Sequence, residues 1–201
     1  MASLYFIHAP MNSSKSAQLL MTAHNYEERN HRVLIVKPGV DSRDGLYVQS
    51  RALDTKRKVD LVIGPDDHWF VFKEVEETDY AAVLVDEAQF LTDFQVDELA
   101  EIVDDLGIPV LAYGLRTDSF SNLFTGSKRL FEVADKFQEL KTICPCCGKK
   151  AVINMRLSED NEPIFDGEQV SPGNHYVAVC RKYFKELKLQ TERGVKIKLD
   201  L

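Results

Sequence analysis

Lys15 and Ser16 lie between a short apolar run, Leu4-Tyr5-Phe6-Ile7, and a helix-like stretch that begins at Ala17. A loop joining a strand to a helix is where backbone N–H groups and the positive helix end cradle phosphates. There a lysine reaches the terminal phosphates and a hydroxyl holds magnesium. The segment Ala9-Pro10-Met11-Asn12-Ser13-Ser14-Lys15-Ser16 has the spacing of such a loop, with Lys15 and Ser16 in the two chemical roles. It departs from the pattern G-x-x-x-x-G-K-[ST] at both glycines, where Ala9 and Ser14 stand. Taken alone, it reads equally as a helix start with solvated side chains.

A second group of residues gives it a partner. The run Ala81-Ala82-Val83-Leu84-Val85 ends in Asp86-Glu87-Ala88-Gln89-Phe90. A carboxylate at the end of an apolar strand steadies a magnesium shell from the side opposite a phosphate loop, and a following glutamate can serve as base. A solvated strand end would explain the two acids separately. Both elements in this order on one chain favour nucleotide binding with magnesium. Four cysteines, Cys144, Cys146, Cys147 and Cys180, form a third group, three of them within four positions. Such crowding suits metal ligation better than disulfides in a reducing compartment.

The elements that must position these residues follow from periodicity. Val33-Leu34-Ile35-Val36 reads as a strand after the helix that starts near Lys15, and Val83 to Val85 as another. A helix is expected from about Asp93 to Leu106, in which Phe94, Leu99, Ile102, Val103 and Leu106 recur at roughly helical spacing. Val110 to Tyr113 is the next strand, entered through Gly107 and Pro109. Four apolar strands with crossover helices imply an α/β fold, a parallel sheet covered on both faces, with ligands outside the carboxyl ends of the strands. Ala9 to Ser16, Asp41-Ser42-Arg43, Asp86-Glu87 and Gly114-Leu115-Arg116-Thr117-Asp118 all fall at such ends. Between Val48 and Val71 the pattern is weaker. Lys56-Arg57-Lys58 reads as a solvated turn, and a β-hairpin excursion is compatible with the rest. After Thr142 cysteines, glycines and short strands mark a second domain ending in a helix from Arg181 to Leu187. The tail from Gln190 to Leu201 is either partly disordered or docked on a neighbour.

Composition bounds the function. With 201 residues, 44% apolar, the chain is an ordinary globular protein with one sizeable core and a small appendage. A balance of 25 basic against 32 acidic residues, net -7, argues against a nucleic-acid partner bound through its backbone. It is compatible with a small nucleotide escorted by magnesium. No apolar run reaches membrane-spanning length and no secretory signal is recognisable, so no membrane partner and a cytoplasmic location are expected.

Together, Pro10-Met11-Asn12-Ser13-Ser14-Lys15-Ser16, Asp41-Ser42-Arg43, Val85-Asp86-Glu87-Ala88-Gln89-Phe90, Tyr113-Gly114-Leu115-Arg116-Thr117-Asp118 and the cysteine-bearing segment resemble the type II, cytosolic thymidine kinases of bacteria and phages. The resemblance runs to about Lys188. It implies a P-loop, RecA-like kinase domain (1–141), a small zinc-ribbon-like lasso domain that binds substrate (142–189) and a tail (190–201). It further implies transfer of the ATP γ-phosphoryl group to the 5'-hydroxyl of thymidine, or of deoxyuridine, in nucleotide salvage. Lys15 then stabilises charge on the phosphates, Ser16 and Asp86 hold Mg2+, and Glu87 is the general base. Arg43 approaches the phosphates, its alternative being a surface ion pair. Residues 9–16, with Asp86 and Gln89, make up the cofactor site.

By the same resemblance, a lasso loop reads thymidine largely through backbone hydrogen bonds, here Val170-Ser171-Pro172-Gly173-Asn174-His175-Tyr176-Val177. Tyr176 contacts substrate or packs under the loop, and Phe90 packs beside the base or in the core. The loop is about two residues short and Pro172 removes one donor. Ser119 stands where the family has a phenylalanine, and Phe120 is the aromatic that a bulge would return to the site. The family's structural zinc maps to Cys144, Cys147, Cys180 and Tyr183, a tyrosine being a poor fourth ligand; Cys146, His175 or water are the other choices. A bound zinc is favoured over an empty, degenerate site. A homotetramer and feedback inhibition by the triphosphate product complete what the family implies. The alternative is a nucleotide-binding relative with decayed or altered deoxynucleoside specificity.

Overall fold

The apolar run near the amino terminus becomes strand β1 (Leu4–Ala9), which leads through the phosphate-loop segment into helix α1 (Lys15–Glu27) and strand β2 (Val33–Pro38). A computed structural model describes residues 1–39, 46–50, 52–167, 169 and 175–199. Next come β3 (Tyr47–Ser50), β4 (Thr55–Lys58), β5 (Leu61–Ile63), α2 (Phe70–Glu77), β6 (Ala82–Val85) and a single 3-10 turn (Ala88–Phe90). Helix α3 (Asp93–Leu106), β7 (Val110–Leu115), α4 (Thr125–Val133) and β8 (Lys136–Glu139) complete this part, and β9 (Ile153–Leu157), β10 (Pro163–Ile164), β11 (His175–Val179) and α5 (Arg181–Glu192) follow.

The chain divides into two compact units. The first comprises Met1–His8, Ser14–Leu115 and Phe124–Glu139; the second takes Ala9–Ser13, Arg116–Leu123 and the chain from Leu140. The first unit is built on a six-stranded parallel sheet in the order β5-β2-β6-β7-β1-β8. Strands β2 and β6 are buried at every position, which accounts for their unbroken β-branched and leucine runs. Val71 and Val75 of α2, Val96, Leu99 and Ile102 of α3 and Leu130 of α4 share one core with the strands. Helix α1 buries Ala17, Leu19, Leu20 and Ala23.

Several expectations change here. Lys56-Arg57-Lys58 lies on β4, not in a turn, because the excursion is an antiparallel β3–β4 hairpin on which these lysines and the arginine pair with Tyr47, Val48 and Gln49. The edge strands β5 and β8 are short, and β8 is largely exposed, so neither carries an apolar signature. Phe94 is not an inward-facing residue of α3: it is 38% exposed and meets His68 and Trp69 edge-on. Polar residues occupy part of the inward face instead. Gln95 forms a capping box with Thr92, and Glu98 accepts the Trp69 and Phe72 N–H groups at the start of α2. A buried acid is tolerated there because it satisfies helix-end donors that have no intrahelical partner.

The second unit contains an antiparallel sheet in the order β10-β9-β11 and the helix α5. Helix α5 runs five residues past the expected end at Leu187. The described part of the tail docks on this unit: Leu199 is buried and its N–H donates to the Asn161 carbonyl, while Ile197 packs against the small core. Two apolar residues two apart are too little periodicity to announce that docking in the sequence.

Candidate active site

In the phosphate-loop segment the backbone is left-handed at two non-glycine residues, Asn12 (φ 57°) and Ser14 (φ 64°). Ser14 therefore occupies a conformation in which a Cβ is penalised and glycine is not. Its carbonyl accepts the first helical bond of α1, from Gln18 N–H. Its side chain caps nothing, and no acid lies in the first turn of α1, so the positive end of that helix is not neutralised locally. Ser13 Oγ donates to the Pro10 carbonyl at 2.6 Å, fixing the turn.

Lys15 and the acids at the end of β6 lie in the first unit and act on one another. Burial draws the Lys15 ammonium below its ordinary value, against the attraction of Glu87 and Asp86. Burial and the neighbouring Glu87 carboxylate raise Asp86 from 3.8 to about 7, opposed by Lys37 and Lys15. Lys37 is only 2% exposed and its Nζ donates to the Tyr47 carbonyl at 3.4 Å. Sequence reading missed Lys37. Its signal was a single cation closing the apolar run Val33 to Val36 at the carboxyl end of a strand.

Glu87 also has a left-handed backbone (φ 52°) and leads into the 3-10 turn. Strain of this kind persists only where the surroundings enforce it, and the turn that follows Glu87 packs closely on two glycines. A Cβ on Gly126 would come within 2.5 Å of the Ala88 carbonyl oxygen and 2.8 Å of that of Leu91; one on Gly114 would lie 3.0 Å from Gln89 N and Oε1. Gln89 is buried, donates from Nε2 to Glu87 Oε2 at 2.6 Å and accepts at Oε1 from Leu115 N–H at 2.9 Å. Half-buried Phe90 meets Phe124 edge-on at 5.6 Å.

In the second unit, Asn154 ties two loops together. It accepts from Met11 N–H at 2.7 Å and donates to the Thr117 carbonyl at 3.2 Å. The Asp118 carboxylate accepts from Phe120 N–H and Asn122 N–H and from Gln169 Nε2. Ser119 is buried, whereas the Phe120 ring is half-buried, with the Arg156 guanidinium 5.1 Å from its centroid. Asn154 and Arg156 are buried polar side chains inside the run Ile-Asn-Met-Arg-Leu of β9. That interruption was the sequence signal for them, and it was passed over. Tyr176 lies on β11 in register with Arg156. Arg43 and its neighbours Asp41 and Ser42, and Val170, Ser171, Pro172, Gly173 and Asn174 of the lasso, lie outside the described residues.

The Sγ atoms of Cys144, Cys147 and Cys180 all lie within 4.8 Å of one another. Thiolates at ~2.3 Å from a tetrahedral zinc stand about 3.8 Å apart, so the three fit such an ion. Burial raises the Cys144 thiol, but hydrogen bonds with the Cys180, Cys146 and Cys147 backbones and the Cys147 side chain outweigh it and hold the thiol below its ordinary value. The left-handed Gly148 lets the turn return to the Cys144 carbonyl. Burial and a hydrogen bond with the Cys146 thiol raise Tyr183, so its phenol stays neutral beside the cluster.

Two expected outcomes follow from this geometry. Ser14→Gly removes a left-handed penalty of about 1–2 kcal/mol, partly offset by the ~0.5–1 kcal/mol of extra backbone entropy glycine loses on folding. A net gain up to about 1 kcal/mol in urea unfolding is expected, with activity kept or raised; a clear loss of activity would show that the loop depends on serine. For Asp86, the fold binds more protons than the unfolded chain between pH 3.8 and about 7, so its contribution to stability declines as pH rises through that window. Asp86→Asn should therefore raise the melting temperature of the nucleotide-free protein more at pH 8 than at pH 5. An equal shift at both values would remove the argument.

The family model for thymidine kinase matches residues 2–184. The chain is 46% identical over 189 residues to the thymidine kinase of Enterobacteria phage T4, covering 93% of this chain and 97% of that protein. It is 47% identical over 189 residues to that of Lactiplantibacillus plantarum (92% and 96% covered) and 41% over 186 residues to that of Streptococcus pyogenes serotype M3 (92% and 97%). With an acid pair at the end of a parallel strand acting on the lysine of a phosphate-loop segment, this chain belongs to the thymidine kinase family.

Proposed function

We infer that the protein transfers the γ-phosphoryl group of ATP to the 5'-hydroxyl of thymidine, with deoxyuridine as a second acceptor, in nucleotide salvage. The observation that carries this is the electrostatic grouping of Lys15 with Asp86 and Glu87 in a chain related along nearly its whole length to thymidine kinases. Residues 9–14 and the open end of α1 cradle the phosphates, and Lys15 stabilises charge on their terminal oxygens. Ser16 and Asp86 are the residues that hold magnesium, which when bound neutralises phosphate charge. The raised proton affinity of Asp86 fits that role, since a cation relieves the burial of its charge. Glu87 accepts the proton of the 5'-hydroxyl. Arg43 engages phosphate oxygens. Phe90, Phe120, Tyr176 and the lasso residues Val170 to Asn174 bind the nucleoside, in a chain made of a kinase domain (1–141), a zinc-binding lasso domain (142–189) and a tail (190–201).

Structural zinc on Cys144, Cys147 and Cys180 supports the second unit, whose core is small. Assembly is as a homotetramer, inhibited by the triphosphate product, in the cytoplasm. No helix among the described residues is long and apolar enough to cross a membrane.

Glu87→Gln should lower turnover about a hundredfold to ten-thousandfold while ATP binding is kept, because the base is lost and the cradle is not. A coupled assay with thymidine and magnesium-ATP reads this, and near-normal turnover would sink the assignment. Metal analysis after chelator-free purification should give close to one zinc per chain, and Tyr183→His should tighten its retention against chelators. An ordered second unit without zinc would show that packing has taken the metal's place. Light scattering should return the mass of four chains; a monomer at micromolar concentration would exclude the tetramer.

A further inference from the structure

Gln89 has a buried carboxamide with both ends in use, and the direction of that carboxamide is fixed by the backbone. The Leu115 N–H, at the end of β7, is a donor, so the atom 2.9 Å from it must be the oxygen Oε1. The nitrogen then necessarily faces Glu87, 2.6 Å from Oε2. Strands β6 and β7 are parallel neighbours, and Gln89 joins the second residue past the carboxyl end of β6 to the last residue of β7. Gly114 makes the arrangement possible, because a Cβ there would stand 3.0 Å from both Oε1 and the backbone nitrogen of Gln89. The contact is thus built from three sides: a backbone donor that sets the amide direction, a glycine that admits it, and a carboxylate that receives it.

We propose that Gln89 is the positioning residue of the general base, holding Glu87 Oε2 so that Oε1 is the oxygen presented to the acceptor hydroxyl. The proposal rests on the assignment of Glu87 as base. A glutamate has three side-chain torsions, and a base acts only when it lies within hydrogen-bond reach of the proton it takes. A misplacement of about 1 Å costs on the order of a hundredfold in rate. Gln89 removes that freedom from the protein side, before substrate arrives.

The test is steady-state kinetics of Gln89→Glu beside Glu87→Gln in the full-length protein. Glutamate at position 89 keeps an oxygen to accept from Leu115 N–H but replaces the amide donor by a second carboxyl group against Glu87. Gln89→Met, which removes the donor without adding charge, is therefore measured beside it to separate lost positioning from charge repulsion. The expected result for both variants is a fall in kcat of about a hundredfold, with KM for ATP and for thymidine within about threefold of wild type, and for Gln89→Glu a lowered melting temperature, since two carboxyl groups then meet in a buried place. Wild-type kcat, or a loss confined to KM, would overturn the proposal. Should Gln89→Glu fail to fold, Gln89→Met, which fills the same volume without a charge, decides by the same split between kcat and KM. If Glu87→Gln is inactive while the Gln89 variants turn over normally, Glu87 remains the base and the positioning role alone falls. If Glu87→Gln itself turns over normally, the base assignment falls and the positioning role with it.

Discussion

Everything in the first unit is arranged around the cost of placing two acids at the end of a completely buried strand. Asp86 is almost inaccessible to solvent, and an isolated carboxylate there would be held neutral by desolvation. Lys15 and Lys37 arrive from the ends of two other elements, one opening α1 and one near the end of β2, and their charges oppose that neutralisation. The parallel sheet is what makes such convergence available. It gathers strand ends on one edge, and the continuous apolar strands leave polar residues nowhere else to go.

Much of this was legible in the sequence because it rests on strong local signals. The strands β6 and β7 are unbroken apolar runs and β2 is one up to Lys37, helix α3 begins and ends at the positions its capping residues Thr92 and Gly107 dictate, and the acids follow directly on β6. What escaped notice was polar and long-range. Glu98 is buried because another helix needs its end satisfied, and Asn154 because two loops distant in sequence need a common hydrogen-bond partner. A period of 3.6 or 2 carries no information about such obligations. Phe94 shows the opposite failure, an apolar residue at helical spacing that packs on a local aromatic cluster rather than in the core.

Ser14 and Glu87 share an unusual property. Both adopt left-handed backbone conformations that an ordinary side chain resists, and both bound the chemistry, one at the helix that follows the phosphate loop and one at the acid pair. At Glu87 the turn that follows packs against glycines on β7 and α4, so side-chain volume has been given up in the supports while the strained residue itself keeps its side chain.

Cys180 belongs to two structures at once. Its sulfur accepts the Tyr183 N–H at the start of α5, and it lies 3.5 Å from the sulfur of Cys147. A chemical oxidant acting on metal-free protein has only a short closure to make before these two thiols become a disulfide. That bond would close covalently the loop carrying all three described strands of the second unit's sheet and would tether the start of α5 in the same event. Air-exposed preparations would then lose thiol titre in pairs while keeping their mass to within two protons. The redox history of a sample thus becomes a hidden variable in any comparison of its activity.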